Sequence, residues 1–126
     1  MSVKSERGKA GELHVSRYLE ENGWRIAGRN YRVKGGEIDI IADNSGTIAF
    51  VEVKTRKFGS LDGDGMTAVD ADKRAAVIRA AQRYLEICGT EYVSVRFDVA
   101  LVTVTTEEIP RVLGMEYYED AFDAFT

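Results

Sequence analysis

Gly36-Glu37-Ile38-Asp39-Ile40-Ile41, followed by Val51-Glu52-Val53-Lys54-Thr55-Arg56, decides the fold of this chain. Both stretches are rich in β-branched residues and read as strands. Asp43-Asn44-Ser45-Gly46 lies between them and reads as a turn. The result is a hairpin with charges where a strand normally presents apolar side chains. Strand side chains alternate faces, so Glu37, Asp39, Ile41 and Asp43 fall on one face of the first strand. Ile48, Phe50, Glu52 and Lys54 fall on one face of the second. A turn centred near Ser45 sets Asp39 almost opposite Glu52, and two carboxylates and an ammonium converge.

Adjacent carboxylates repel and resist desolvation, and a divalent cation removes that conflict. Hard oxygen ligands at this spacing suit Mg²⁺ or Mn²⁺ better than Zn²⁺. Asp39 and Glu52 are the expected ligands, with the Val53 carbonyl as a further oxygen. Lys54 is placed to orient or deprotonate a water, or to neutralise charge growing on a phosphate. Metal, carboxylates and lysine together suit phosphodiester hydrolysis. The plainer reading of the same residues is a surface hairpin with a weak Glu–Lys ion pair.

Asp39 followed by Glu52-Val53-Lys54, on a hairpin after a helix carrying Glu12, resembles the PD-(D/E)xK nuclease superfamily. More narrowly, the two quoted stretches are similar to the YraN family, also called UPF0102, a widespread bacterial family to which endonuclease activity is attributed. Gly11-Glu12, Tyr18-Leu19, Asn30-Tyr31, Phe58-Gly59, Val69, Lys73, Tyr84-Leu85 and Arg96-Phe97-Asp98-Val99 carry the resemblance over nearly the whole chain. It implies Glu12, Asp39, Glu52 and Lys54 as the catalytic set, and a restriction-endonuclease-like fold related to Holliday-junction resolvases. Those junction-cutting relatives act as dimers, so it also implies a homodimer. His14, Val15 and the segment Glu116 to Phe122 depart from the family pattern without touching the four catalytic positions.

At 126 residues the chain is expected to form one domain with its own core. No apolar run reaches membrane-spanning length and no secretory signal is evident, so a cytoplasmic location without a membrane partner is expected. Cys88 is the one cysteine and cannot form an internal disulfide; its position among apolar residues predicts a buried packing role. Net charge is −4, but residues 1–83 carry 15 Lys/Arg against 12 Asp/Glu, while residues 84–126 carry 2 against 9. The hairpin-bearing part is therefore mildly basic, and the acidity belongs to the C-terminal stretch, an acidic tail over about residues 105–126. A local basic patch suffices for phosphate, and nucleic acid is the expected partner, DNA ahead of RNA.

Residues 5–22 read as an amphipathic helix with Leu13, Val15, Tyr18 and Leu19 as its apolar stripe, Ser5 or Ser2 as cap and Gly23 as stop. On it, Glu12 is either one more solvated glutamate or, as the resemblance implies, a site residue. Residues 24–33 read as a strand with an irregularity at Gly28. Arg29, Arg32 and Lys34 on or after it, with Arg56 and Lys57 beyond the hairpin, are candidate phosphate contacts or a solvated face. Residues 57–66 read as a glycine-bearing loop able to close over substrate. A second helix is expected over 68–88, with Val77, Ala80, Ala81, Tyr84, Leu85 and Cys88 inward and Lys73 toward a nucleic-acid backbone. Residues 93–104 read as a central strand in which Arg96 and Asp98 pair, and residues 111–122 as a short further strand. The order predicts an α/β fold, a mixed β-sheet flanked by helices with an αβββαβ core. Function follows as metal-dependent cleavage of DNA, branched or otherwise structured. The alternative is a non-catalytic nucleic-acid-binding or protein-interaction module.

Overall fold

Alternation along the hairpin divides its apolar residues between two cores. Ile48 and Phe50 join one cluster with Val77, Ala80 and Ala81, whereas Ala49 and Val51 join another with Val15 and Leu19. Consecutive strand residues face opposite ways, so two helices cover opposite faces of one sheet. The computed structural model describes residues 5–60, 70–88, 92 and 94–124. Its elements run α1 (Glu6–Glu21), β1 (Arg25–Val33), β2 (Gly36–Asn44), β3 (Thr47–Lys57), α2 (Ala71–Cys88), β4 (Ser94–Val104) and β5 (Val112–Phe122). The strands lie in the order β1-β2-β3-β4-β5. Only β3 and β4 are parallel, joined through α2; the other neighbours are antiparallel. This is the helix-flanked mixed sheet expected, in the expected order, and it agrees with a restriction-endonuclease-like fold.

Local chemistry explains the boundaries. Ser5 caps α1 by accepting the Gly8 N–H at 3.1 Å, and Gly23 leaves the helix at φ +88°. The β2–β3 hairpin closes at Asn44 and Thr47, with Ser45 and Gly46 at φ 50° and 87°, the left-handed pair that a two-residue hairpin turn needs. A register shift between Ile26 and Gly28 is the irregularity anticipated in β1. Asp70 caps α2 by accepting the Lys73 N–H at 2.9 Å, and the described helix runs from Ala71. Phe50 is fully buried between Phe97 and Tyr84, at ring separations of 5.7 and 6.0 Å. Burial of a ring of this size contributes about 2–3 kcal/mol.

Some expectations need correction. Leu13 is 42 % exposed; the buried side of α1 is Gly11, Glu12, Val15, Ser16 and Leu19, so the buried face carries a glutamate and a serine beside Val15 and Leu19 and leaves Leu13 outside it. Cys88 is exposed at the last turn of α2 and does not pack in the core. Residues 112–122 form a full 11-residue edge strand rather than a short one. Most of the anticipated loop, residues 61–66, lies outside the described residues, as do 68 and 69. Among the described residues no helix is long and apolar enough to cross a membrane.

Two glycines set how closely the helices approach. A Cβ on Gly11 would run into the Thr55 hydroxyl of β3. A Cβ on Gly36 would lie 2.5 Å from the Ala76 carbonyl oxygen and 2.9 Å from the Ala80 nitrogen. Each helix thus lies tight on the charged end of the hairpin, α1 bringing Glu12 and α2 bringing Lys73.

Candidate active site

The register pairing Ile40 with Val51 carries Asp39 alongside Glu52 one step further on. Regular β2–β3 pairing stops at that step, and the Asp39 carboxylate takes over a ladder bond, accepting the Val53 N–H at 2.8 Å. Strict alternation also fails here. Ile38 packs in the α2 core and Ile40 in the α1 core, although they are two residues apart. On the facing strand Asn30, between the pairs Arg29–Ile40 and Tyr31–Ile38, has φ 49°. The shared kink turns Asp39 toward β3 instead of squarely onto one face. A residue's N–H and C=O lie on the same strand edge, so the Val53 carbonyl opens toward the same gap as its N–H.

Asp39 is 2 % exposed and Glu52 3 %. Lys73 reaches them from α2, its ammonium 3.0 Å from Glu37 Oε1 and 3.6 Å from Glu52 Oε2. Arg32 adds a 3.5 Å contact to Glu37. Burial alone lowers the Lys73 pKa, but the charges of Glu52, Glu37 and Asp39 together outweigh it and the net shift is upward. Lys73 thus gathers carboxylates around it, hard anionic oxygen of the kind a divalent cation takes. Among the described residues no three His, Cys, Asp or Glu side chains are gathered into a ready-made cage. A cation held by Asp39, Glu52 and the Val53 carbonyl would complete its shell with water, as Mg²⁺ ordinarily does.

Glu12 arrives from the α1 side, 8 % exposed. With Val53 and Thr55 it lines a cavity of about 360 Å³. Lys54 is exposed, two residues past Glu52 on the strand. The hairpin end thus receives Asp39, Glu52, Val53 and Lys54 from the sheet, with Glu12 and Lys73 coming from the two flanking helices.

The expected phosphate contacts separate into two groups. Arg29, Lys34 and Lys57 are exposed. Arg32 is held by Glu37, Arg56 donates to Thr103 Oγ1 at 3.1 Å, and Lys73 is held by Glu37 and Glu52. Lys73 therefore belongs to the carboxylate cluster instead of standing as an isolated surface cation. The sequence marked Lys73 only as a contact to a nucleic-acid backbone; nothing in its own neighbourhood of sequence names Glu52. Asp98 stands apart from the hairpin site. Its carboxylate accepts from Arg96 at 2.9–3.2 Å, from the Tyr117 hydroxyl at 2.7 Å and from the Asp120 N–H at 2.9 Å.

Comparison with known proteins bears on this arrangement. The family model described as "Uncharacterised protein family UPF0102" matches residues 11–102, which include all four expected catalytic positions. A UPF0102 protein of Synechococcus sp. (strain JA-3-3Ab) is 42 % identical, covering 87 % of this chain and 82 % of its own. One from Chlorobium phaeobacteroides is 42 % identical over 93 % of both chains. One from Geobacter sulfurreducens is 38 % identical, covering 92 % of this chain and 88 % of its own.

Proposed function

This chain belongs to the UPF0102 family, and we propose from the chemistry of its hairpin that it is a metal-dependent endonuclease hydrolysing phosphodiester bonds of DNA. What supports the reading is the pair Asp39 and Glu52, both buried, set side by side where a carboxylate replaces the ladder bond to Val53. Buried like charges cost stability unless something binds them.

Asp39, Glu52 and the Val53 carbonyl would hold Mg²⁺ or Mn²⁺. Such an ion supplies, when bound, Lewis-acid stabilisation of charge growing on the phosphate and lowers the pKa of water. Glu12 orients the attacking water from the α1 side. Lys54, exposed beyond Glu52, receives the phosphate and balances its developing charge. Lys73 keeps Glu37 and Glu52 in position by holding both. Its engagement with these carboxylates also favours a second reading, in which the cluster is an ion network of a non-catalytic binding module.

A gel assay separates the two. Purified protein is incubated with duplex, nicked, flapped, four-way and single-stranded DNA, and with RNA, in Mg²⁺ or Mn²⁺, beside Asp39→Asn. The expected result is cleavage of a DNA substrate by the wild type alone. Cleavage by Asp39→Asn at the wild-type rate removes the assignment. A shifted band with no cleavage of any substrate supports the binding module.

A further inference from the structure

We propose that Lys73 competes with the divalent cation for Glu52: its ammonium neutralises that carboxylate when no ion is bound and keeps only Glu37 when one binds, so the lysine weakens the metal affinity of the site it stabilises. The inference rests on the metal site of the hydrolase reading above and concerns what sets its affinity.

The two contacts of Lys73 are unequal. Its Nζ donates to Glu37 Oε1 at 3.0 Å, which is a hydrogen bond. It stands 3.6 Å from Glu52 Oε2, beyond hydrogen-bond length and held by charge alone. Glu52 can therefore be given up while the bond to Glu37 stays intact. Glu37 is suited to keep the ammonium. Its other oxygen lies 3.5 Å from Arg32 Nε, and its side chain is 33 % exposed against 3 % for Glu52. Among the described residues no three carboxylates gather as ligands, so Glu37 belongs with the lysine and not beside Asp39 and Glu52 in a coordination shell.

Burial makes the exchange necessary. Glu52 is almost sealed from water, and a buried carboxylate without a compensating charge is costly. Lys73 supplies that charge from a helix whose place is fixed. Its own N–H is held by the Asp70 cap at 2.9 Å, and the close packing at Gly36 sets α2 on β2. The side chain, 37 % exposed on a flexible four-carbon stem, can swing where the backbone cannot. Two positive charges arriving at Asp39 and Glu52 repel the ammonium, and Glu37 is the seat that remains. The lysine thus adds stability in the absence of metal and subtracts affinity in its presence. A lysine that merely orients Glu52 would do the opposite to affinity.

That difference in sign is the test, and it needs no cleavage. Mn²⁺ is titrated into the full chain at neutral pH and constant ionic strength, and the unbound ion is read by electron paramagnetic resonance. One site that Asp39→Asn removes is expected in the wild type. Lys73→Met should bind Mn²⁺ roughly tenfold more tightly, the lower end of what one nearby charge does to an ionic equilibrium, because the ammonium is partly exposed. Lys73→Arg keeps the charge and should stay near the wild type. Equal or weaker binding in Lys73→Met overturns the proposal and leaves the Asp39-dependent metal site standing. Binding in Lys73→Arg as tight as in Lys73→Met also overturns it, because shape and not charge is then at work. No Asp39-dependent site in either the wild type or Lys73→Met removes the metal from the hydrolase reading, and this inference with it.

Glu37→Gln tests the second seat and does not depend on how well Lys73→Met folds. With Glu37 neutral the ammonium stays on Glu52, and Mn²⁺ affinity should fall. Equal or tighter binding overturns the exchange. The fall should be smaller when the substitution is added to Lys73→Met, since the two side chains are in contact and act through one another. Equal falls in both backgrounds would mean that Glu37 acts on the ion directly, and would overturn its role as the seat of the lysine.

Discussion

Among the described residues, the hairpin and the Asp98 cluster both bury carboxylates, and they are built oppositely. Asp98 is 0 % exposed and saturated: the Arg96 guanidinium, the Tyr117 hydroxyl and the Asp120 N–H meet its two oxygens. Arg96 is itself backed by the Trp24 ring, 4.8 Å from its centroid. The Tyr117 pKa is pushed far up, first by burial and then by the Asp98 charge, so the phenol stays a donor. This cluster ties edge strand β5 to central strand β4. At the hairpin, Asp39, Glu52 and Glu37 instead draw on Lys73, with Arg32 at the flank of Glu37. One carboxylate with matched donors is a latch. Several carboxylates gathered around one lysine repel one another, and a further cation relieves that repulsion.

The sharpest way to break this contrast is to neutralise each in turn. Asp39→Asn should lower cleavage by roughly three orders of magnitude, the scale of losing several kcal/mol of transition-state charge stabilisation. Its urea midpoint without metal should stay level or rise, because like-charge repulsion is relieved. Asp98→Ala should do the reverse. It strands Arg96 and the Tyr117 hydroxyl and costs about 3 kcal/mol, read as a lower urea midpoint at unchanged slope. Cleavage per folded molecule should be unaffected. A hairpin variant that loses as much stability as Asp98→Ala would make both clusters latches.

Much of this was legible in sequence, for local reasons. The turn residues and β-branched runs that define β2 and β3 act over a few positions, and the Asp39–Glu52 juxtaposition follows from counting outward from Ser45. The Arg96–Asp98 pairing followed from two charges interrupting an apolar strand. What strict period-two counting hid was the kink at Asp39, because a side chain taking a ladder bond depends on the partner strand. The same limit applies to Lys73, whose partners lie on two strands remote in sequence. Leu13 was misplaced because the face that α1 buries runs through Glu12, Val15, Ser16 and Leu19, and Cys88 because periodicity does not tell which turns of a helix are covered.

Lys73 sharpens the contrast through pH. Its pKa lies above the ordinary lysine value, since the surrounding carboxylates overcome the opposing effect of burial. A raised lysine pKa contributes stability that is fully present below the ordinary value of about 10.4 and is lost as pH climbs through the folded-state value. Lys73→Met should therefore cost about 1–2 kcal/mol at neutral pH, a modest figure because more than a third of the side chain is exposed. The gap between variant and wild type should close above about pH 10.4. Subtracting the two stability profiles removes the tyrosines, which are common to both. A gap that persists unchanged at high pH would mean Lys73 acts through its aliphatic stem rather than its charge.

The smallest effects come from the backbone beside each carboxylate. Asn30 stands across from Asp39 with φ 49°, and Asp120, which donates its N–H to Asp98, has φ 52°. Asparagine and aspartate tolerate this left-handed conformation better than other residues with a Cβ. Replacing either by Ala should cost about 1 kcal/mol, and replacing either by Gly should be nearly neutral. The two sites part company in function. Asn30→Ala should also slow cleavage, because the kink it shares with β2 aims Asp39 at Val53. Asp120→Ala should leave the rate per folded molecule alone, because it strains only the latch. Equal rates in the two Ala variants, each corrected for its folded fraction, would show that the kink is a feature of the sheet and not of the site.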